Sequence, residues 1–248
     1  NEVMDLLDNT VSTFKDRHNN LLLDRNNRLK DIFEGKHRIN FREDTTHIRQ
    51  DEGWKGAEIT PDLACRHVEL TGPASDSKMF INALNSKADG YMADIEDSNS
   101  PSWNNIVSSQ HNIYQGIRKT LSLNQNGKSY SIDNDKFPTL WVRTRGLHLK
   151  EFNVLDSQGE PYPGIIFDLV MHYCHNGSYL SQSYSKSETN IKGPYIYIPK
   201  LETYEEALLV NDIIQHLENS TNVKGTKVTA LIETLPAIFQ TQEIIYAL

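Results

Sequence analysis

The sequence has 248 residues, of which 38% are hydrophobic and 23% charged, and 25 basic against 33 acidic residues give a formal net charge of −8. A chain of this length can bury a substantial core as one large or two small domains, and its acidic balance without a basic run argues against nucleic acid as a partner. No apolar stretch approaches the roughly 20 residues that cross a bilayer, nothing resembles a secretory signal, and Cys65 and Cys174 lack metal or redox spacing. We therefore expect an intracellular, soluble protein with no membrane partner.

The first part of the chain, residues 1–75, is predicted to be a helical region followed by a linker. Apolar residues recur at helical spacing from Val3 to Phe14, and the pattern continues in more polar form to about residue 33. The linker leads into a Thr-Gly-Pro turn at 71–73. A short helix over residues 78–86 then connects to the first predicted strand.

Residues 76–248 alternate between short buried strands and amphipathic helices. The strands are predicted at 91–95, 139–143, 195–199 and 227–232, with a hairpin over 152–162 and polar insertions at 124–136 and 176–190. Ser100 and Pro101 form a helix-start signal after the first strand, and Thr203 with Glu206 form another after the third. Such alternation implies parallel strands with crossover helices, hence an α/β fold. The absence of a Gly-rich phosphate motif favours the first half of a (β/α)8 TIM-type barrel, incomplete at four βα units.

Ionisable residues stand at or just beyond the end of each predicted strand: Asp94 and Glu96, Arg145, Glu202, and Glu233. Ligands of parallel α/β folds collect at the carboxyl ends of the strands, so these side chains are expected to share one mouth. Carboxylates from separate strands suit Mg²⁺, which prefers oxygen ligands, and a guanidinium suits a developing oxyanion. The residues alone therefore indicate a metal-assisted lyase, aldolase or transferase of unspecified substrate.

These residues also have structural explanations. Glu233 can serve a helix N-terminus instead of a metal ion, and Arg145 can be an ion-pair partner of Asp94 or Glu96. Three histidines near the strand ends and insertions have no ligand-type spacing with one another and are expected to be structural: His148, His172 and His175.

The chain resembles the A-type malate synthases in four blocks: Tyr-Met-Ala-Asp-Ile-Glu-Asp-Ser at 91–98, Val-Arg-Thr-Arg-Gly-Leu-His at 142–148, Gly-Pro-Tyr-Ile-Tyr-Ile-Pro-Lys-Leu-Glu at 193–202 and Leu-Ile-Glu-Thr at 231–234. These blocks occur in the order, and at about the spacing, expected of that family. Two further blocks, at 68–73 and 81–86, add to the match. The resemblance covers essentially the whole chain and corresponds to about the N-terminal half of the family's chain.

The resemblance implies a Mg²⁺-dependent Claisen condensation of acetyl-CoA with glyoxylate and water, which gives malate and CoA in the glyoxylate cycle and the tricarboxylic acid cycle. It assigns the catalytic guanidinium and the glyoxylate contact to Arg145 and the metal ligand to Glu233. Asp94 and Glu96 would line the same pocket and orient Arg145, and Ser98 would approach the coenzyme. Thr and Leu at 144 and 147 stand where the family usually has Pro and Trp.

The resemblance also implies that a second metal ligand and the general-base Asp lie beyond residue 248, so we expect no turnover by this polypeptide alone. A half barrel leaves an open strand edge, for which self-association or a partner chain is expected. The alternatives are a non-catalytic binding or interaction protein derived from malate synthase, and another Mg²⁺-dependent CoA-ester lyase. The expected compartment is the peroxisome or glyoxysome, or the cytoplasm.

Overall fold

A computed structural model describes residues 2–133, 137–182 and 192–248, and these form nine α-helices and nine strands. The helices are α1 Glu2–Phe33, α2 Thr46–Gln50, α3 Ser77–Leu84, α4 Trp103–Ile117, α5 Gly164–His172, α6 Ser178–Gln182, α7 Tyr204–Thr221, α8 Leu235–Ile238 and α9 Thr241–Ala247. The strands are β1 Glu69–Pro73, β2 Gly90–Asp94, β3 Ser122–Gln125, β4 Lys128–Ser131, β5 Thr139–Arg143, β6 Lys150–Leu155, β7 Pro161–Pro163, β8 Tyr195–Ile198 and β9 Lys227–Ala230. Antiparallel hairpins are made by β3 with β4 and by β6 with β7.

Five parallel strands form the central sheet, in the order β1-β2-β5-β8-β9. Every strand of this sheet after β1 pairs with the sheet strand that comes before it in the sequence, and the segment that joins the two contains at least one helix. In the shared register, Asp94 at the end of β2 lies between Pro73 of β1 and Arg143 of β5. This arrangement confirms the predicted α/β class and the partial TIM-type barrel.

The sheet contains one strand more than the four predicted, because β1 comes from the range interpreted as linker. Its Thr-Gly-Pro end has the composition of a turn. Pro73 is nevertheless compatible with a strand at the end of the ladder, where its missing N–H costs no hydrogen bond. The predicted boundary at residue 75 therefore falls after the first strand of the sheet.

The two faces of the sheet bury different side chains, as the twofold alternation of a strand requires. Tyr91, Ala93 and Val142 face the helices and join the main hydrophobic core. Met92 and Trp141 face the other way, into the concave side, where they pack with Leu63, Tyr195 and Tyr197. Asp94 and Arg143 follow Met92 and Trp141 by two residues and so continue the concave face toward the carboxyl ends of the strands.

Several element boundaries differ from the predicted ones. The cap of α4 is Ser102, whose hydroxyl accepts the Asn105 amide hydrogen at 3.3 Å, so Ser100 and Pro101 lie before the helix. Thr203 caps α7 as predicted. After β9 the chain forms two short helices, α8 and α9. Of the two predicted insertions, residues 124–136 and 176–190, the parts at 134–136 and 183–190 lie outside the described residues.

The long helix α1 is fastened to the loops that follow two central strands. Arg25 donates to both carboxylate oxygens of Glu206, at 2.6 and 2.7 Å, and to the Lys200 carbonyl oxygen at 2.7 Å. His18 donates from Nε2 to the Leu147 carbonyl oxygen at 2.7 Å. The helix therefore supports the carboxyl end of the sheet. No helix in the described part of the chain combines the length and the apolar character that crossing a bilayer requires.

His172 should make the stability of the fold depend on pH. Its ring is fully buried in α5, and burial lowers its pKa to about 4. The unfolded state, with a pKa near 6.5, binds the proton more readily, so acidification through this range destabilises the fold. We expect His172 to contribute a loss of about 1.4 kcal/mol per pH unit, roughly 3 kcal/mol in all, between pH 6.5 and 4.

Urea unfolding of the His172→Gln variant at several pH values tests this expectation. The variant should show a flatter dependence of the free energy of unfolding on pH than the unmodified chain. His111→Gln is the matched control, because His111 is an exposed histidine on α4. Parallel profiles for the unmodified chain and the His172→Gln variant would contradict the assignment.

Candidate active site

The carboxyl end of β2 is organised by the buried side chain of Asp94. Its Oδ1 accepts the Glu96 amide hydrogen at 2.8 Å, and its Oδ2 accepts the Ser98 amide and hydroxyl hydrogens at 2.9 and 2.8 Å. Asp94 is 1% exposed, and both of its carboxylate oxygens stabilise the turn through these hydrogen bonds. The turn directs Glu96 and Asp97 across the top of the neighbouring strand, β5.

Arg143 lies at the centre of the site. Its Nη2 donates to Glu96 Oε2 at 2.7 Å and to Asp97 Oδ2 at 2.6 Å. Its Nη1 lies 3.7 Å from Asp94 Oδ2, and its Nη2 lies 3.5 Å from Glu233 Oε1. One buried guanidinium thus contacts acids that follow two different strands, β2 and β9.

Gly146 allows Glu96 to approach the loop after β5. The Gly146 amide donates to Glu96 Oε1 at 3.1 Å. A Cβ at this position would lie 2.9 Å from the same oxygen and 2.9 Å from His148 Nδ1, closer than side chains tolerate. Glu96 is therefore held from both sides, by a guanidinium and by a backbone amide.

Lys200 joins the remaining acids of the site. Its Nζ donates to Asp97 Oδ2 and to Glu233 Oε2, each at 3.0 Å, and its backbone amide donates to Glu233 Oε1 at 3.0 Å. Its backbone lies in the left-handed region, with φ of 56°, which turns the chain after β8 toward the mouth. Asp97 and Glu233 are the carboxylates of the cluster that keep substantial contact with solvent, with side chains 53% and 29% exposed.

The cluster perturbs the ionisation of its members in opposite directions. Burial raises the pKa of Glu96 above its usual value, although Arg143 opposes the shift. Burial also acts to raise the pKa of Asp97, but hydrogen bonds from Lys200 and Arg143 outweigh it and leave that pKa lowered. Burial disfavours the charged form of Arg143, yet the surrounding carboxylates, Asp94 first, raise its pKa overall. Perturbed groups of this kind gather at functional sites.

Arg145 does not join this cluster, contrary to the placement expected from the sequence. Its Nε and Nη2 donate to the two Asp168 oxygens at 3.1 and 2.9 Å, and its Nη1 donates to Glu151 Oε2 at 2.8 Å. All three side chains are at most 2% exposed. The structural alternative for Arg145 was an ion pair with Asp94 or Glu96, and its carboxylate partners are instead Glu151 and Asp168.

The observed placement differs from the expected one because two arginines stand two residues apart in the sequence. In an extended strand, Arg143 and Arg145 would project from the same face. The strand ends at Arg143, however, and the chain then bends through the loop at 144–149. After this bend, the Arg145 guanidinium contacts Asp168 of α5 instead of the cluster. The sequence signal that favours Arg143 is its place as the last residue of the strand, opposite Asp94.

The donor set fits a hard divalent cation. Four carboxylates and two cations, Arg143 and Lys200, leave a formal charge of −2 when all are ionised. No three of these carboxylates converge closely enough to hold one ion by themselves within the described residues. Two solvent-facing carboxylates, Asp97 and Glu233, match the preference of Mg²⁺ for one or two protein carboxylates completed by water and substrate.

Polar groups near the mouth also have no protein partner among the described residues. They are both amide atoms of Asn99, the Arg143 Nε and the Thr144 hydroxyl. All are buried, and a buried polar atom without a partner carries a desolvation cost that a ligand or an ordered water can offset. Asp97 and Lys200 are members of the site to which the sequence prediction assigns no role. Asn99 lies in the turn at 95–102, where no sequence pattern distinguishes it from a capping residue.

Comparison with known proteins shows that this sequence is similar to malate synthases. The family profile described as "Malate synthase, TIM barrel domain" matches residues 139–248. The chain is 44% identical to "Malate synthase, glyoxysomal" of Candida tropicalis over 214 residues, 84% of this chain and 37% of that protein. It is 39% identical to "Malate synthase A" of Escherichia coli (strain K12) over 250 residues, 100% of this chain and 45% of that protein. The chain thus spans less than half the length of these relatives.

Replacing Arg145 should mainly destabilise the fold. Arg145→Met would leave Asp168 and Glu151 buried without their cation, which costs roughly 3–5 kcal/mol in comparable pairs. The matched control is Arg17→Met, since Arg17 pairs with Asp212 at the surface and such pairs contribute about 0–1 kcal/mol. Chemical denaturation of both variants measures the difference. Equal losses in the free energy of unfolding would contradict the role given to Arg145.

Proposed function

The chain is a relative of the malate synthases that matches their N-terminal portion, and we propose that its carboxyl-end cluster is part of a malate synthase active site. The proposed reaction condenses the methyl carbon of acetyl-CoA with the aldehyde carbon of glyoxylate, and hydrolysis of the thioester then gives malate and CoA. The observation that carries the proposal is the contact of buried Arg143 with carboxylates from two strand ends, beside two acids open to solvent.

Glu233 and Asp97 are the residues proposed to hold Mg²⁺, because they are the solvent-facing oxygen donors of the cluster. When bound, the ion would polarise the aldehyde of glyoxylate and offset the charge of its carboxylate. The ammonium of Lys200 lies between the same two carboxylates and already offsets part of their negative charge. Lys200 is proposed to stay beside the site as a second positive charge for the anionic substrate.

Arg143, rather than Arg145, is the guanidinium proposed to act on the substrates. Loss of a proton from the acetyl methyl group moves negative charge to the thioester oxygen, and a fixed guanidinium stabilises that charge without having to reorient. Glu96 and Asp97 fix Arg143 through hydrogen bonds of 2.7 and 2.6 Å. Asp94 is proposed to act as a positioning residue, since its carboxylate shapes the turn that carries Glu96 and Asp97.

Ser98 is proposed to border the path of the coenzyme, because it is exposed at the mouth and its hydroxyl is oriented by Asp94. The resemblance assigns the general base and a metal ligand additional to Glu233 to residues outside these 248, and such a ligand would complement Asp97. We therefore propose that this polypeptide binds Mg²⁺ and glyoxylate but does not by itself release CoA. Strand β9 ends the described sheet, and we propose that further chain, from the same or a second molecule, pairs with it.

The compartment is proposed by analogy. The Candida tropicalis relative is named as glyoxysomal, whereas the Escherichia coli relative carries no such word in its name. We propose a peroxisome, glyoxysome or cytoplasm for this chain. The place of the reaction in metabolism is proposed as the glyoxylate cycle, which the name of a Caenorhabditis elegans relative, "Bifunctional glyoxylate cycle protein", states for that protein.

Calorimetric titration of glyoxylate into the purified chain, with and without Mg²⁺, tests the proposal. Binding should require Mg²⁺. Glu233→Gln and Arg143→Gln should each weaken it about tenfold or more, because each removes a charged contact of roughly 1.5–3 kcal/mol. Oxaloacetate, the substrate expected of a related CoA-ester lyase, should bind more weakly than glyoxylate.

Glu202→Gln is the matched control for the charge change. Glu202 also follows a central strand, β8, but it pairs with Arg25 and Arg28 of α1 and makes no contact with Arg143. This variant should bind glyoxylate as the unmodified chain does. Glyoxylate binding that is independent of Mg²⁺, or that survives in both site variants, would contradict the proposal. Release of CoA by the 248-residue chain would contradict the proposed need for residues outside it.

A further inference from the structure

A second group of ligand-type side chains lies at the opposite end of the sheet. Cys65, His67 and Asp89 bring a thiol sulfur, an imidazole nitrogen and a carboxylate oxygen within 4.8 Å of one another, and no other described residues form such a group of three. Cys65 and His67 stand before β1, and Asp89 directly precedes β2. The group therefore sits at the amino ends of two neighbouring strands.

The first two ligands come from one short segment of the chain, the loop before β1. Arg66, between them, directs its guanidinium onto the concave face of the sheet, with Cζ 4.4 Å from the Trp141 ring and Nη2 donating to Glu69 Oε2 at 2.8 Å. Cys65 and His67 stand on either side of Arg66 in the irregular segment before β1, and the backbone bends at His67. Cys65 and His67 are exposed, with Sγ and Nδ1 3.8 Å apart.

The third ligand is fixed by the backbone. Asp89 Oδ2 accepts the amide hydrogens of His67 and Val68, each at 3.1 Å. The Asp89 amide donates to the Val68 carbonyl oxygen at 2.9 Å, and its carbonyl accepts from Thr139 at 3.0 Å. These bonds tie the loop that carries Cys65 and His67 to the start of β2, so two of the ligands are held beside the third.

We propose that Cys65, His67 and Asp89 bind one Zn²⁺ ion. A thiolate, an imidazole and a carboxylate are all ligands of Zn²⁺, and three protein ligands leave a fourth tetrahedral position for water or an added ligand. Zn–S near 2.3 Å and Zn–N near 2.0 Å at a tetrahedral angle put sulfur and nitrogen about 3.5 Å apart, close to the 3.8 Å between Cys65 Sγ and His67 Nδ1. A thiolate and a carboxylate also balance the charge of a divalent ion.

This site is distinct from the carboxylate cluster in both place and chemistry. Asp89 directly precedes β2 and Asp94 is its last residue, so about 16 Å of extended chain separates them at the usual rise of a strand. The cluster at the carboxyl end offers oxygen donors, which suit Mg²⁺, whereas the group at the amino end includes sulfur and nitrogen, which select zinc-type ions. Excess Mg²⁺ can therefore occupy oxygen sites while Zn²⁺ or Co²⁺ is titrated.

Titration of the full 248-residue chain with Co²⁺, in excess Mg²⁺, tests the proposal by spectroscopy. One equivalent should produce the near-ultraviolet charge-transfer band of a thiolate–Co²⁺ bond, and Zn²⁺ should displace it. Cys65→Ser should abolish the band. His67→Gln should weaken Zn²⁺ binding by more than about 100-fold, because loss of a direct ligand exceeds the 10–100-fold cost of losing an outer partner.

Cys174→Ser and His37→Gln are the matched controls, since they remove the other free thiol and an exposed imidazole remote from the group. Both should retain the band and the affinity for Zn²⁺. Zn²⁺ should also slow the reaction of Cys65 with a thiol reagent and leave that of Cys174 unchanged. A Co²⁺ spectrum without the thiolate band, or equal Zn²⁺ affinity in the Cys65→Ser variant, would overturn the proposal. Unchanged circular dichroism of each variant shows that the fold is retained.

Discussion

The parallel register that sets Asp94 of β2 opposite Arg143 of β5 is the constraint on which the candidate site depends. It puts a carboxylate and a guanidinium side by side at the concave mouth, where neither can be solvated fully. Burying either charge alone would be costly, so the fold retains them only with partners. Asp94 accepts hydrogen bonds from backbone amides of the turn that follows it. The same turn carries Glu96 and Asp97, which accept hydrogen bonds from Arg143. The site is thus a consequence of pairing two strands in one register.

The two arginines at the end of β5 differ in their surroundings: Arg145 supports the loop after the strand, and Arg143 is the one proposed to act on the substrates. Arg145 ties the loop to α5 through Asp168 and to β6 through Glu151, and all three side chains are at most 2% exposed. Arg143 remains at the mouth with its Nε lacking a protein partner within the described residues. A rigid loop beneath a partly unsatisfied guanidinium is the arrangement that electrostatic stabilisation requires, because the charge is fixed before a substrate arrives. Helix α1 adds to this rigidity through Arg25, which donates hydrogen bonds to Glu206 and to the Lys200 carbonyl oxygen.

The two ends of the sheet differ in the metals that they suit. At the carboxyl end every candidate donor is a carboxylate oxygen, and the neighbouring cations already compensate part of the charge. At the amino end the proposed donors are Cys65 and His67, in the loop before β1, and Asp89, directly before β2. Hard and borderline ions are separated by such differences in donor type rather than by affinity alone. One sheet can therefore carry an oxygen-rich site and a sulfur-containing site without competition between them.

Periodicity and capping patterns in the sequence determined α1, the four strands that the helices cover, the Thr203 cap and the α/β class, because these features arise from neighbours along the chain. The same patterns also put acids at the mouth. Tertiary structure alone decided that Glu69–Pro73 is a strand, since its pairing with β2 is invisible in a turn-like sequence. It also decided which arginine faces the acids and brought Asp89 to Cys65 and His67. These outcomes depend on where the chain bends and which strands become neighbours, and no local pattern encodes either.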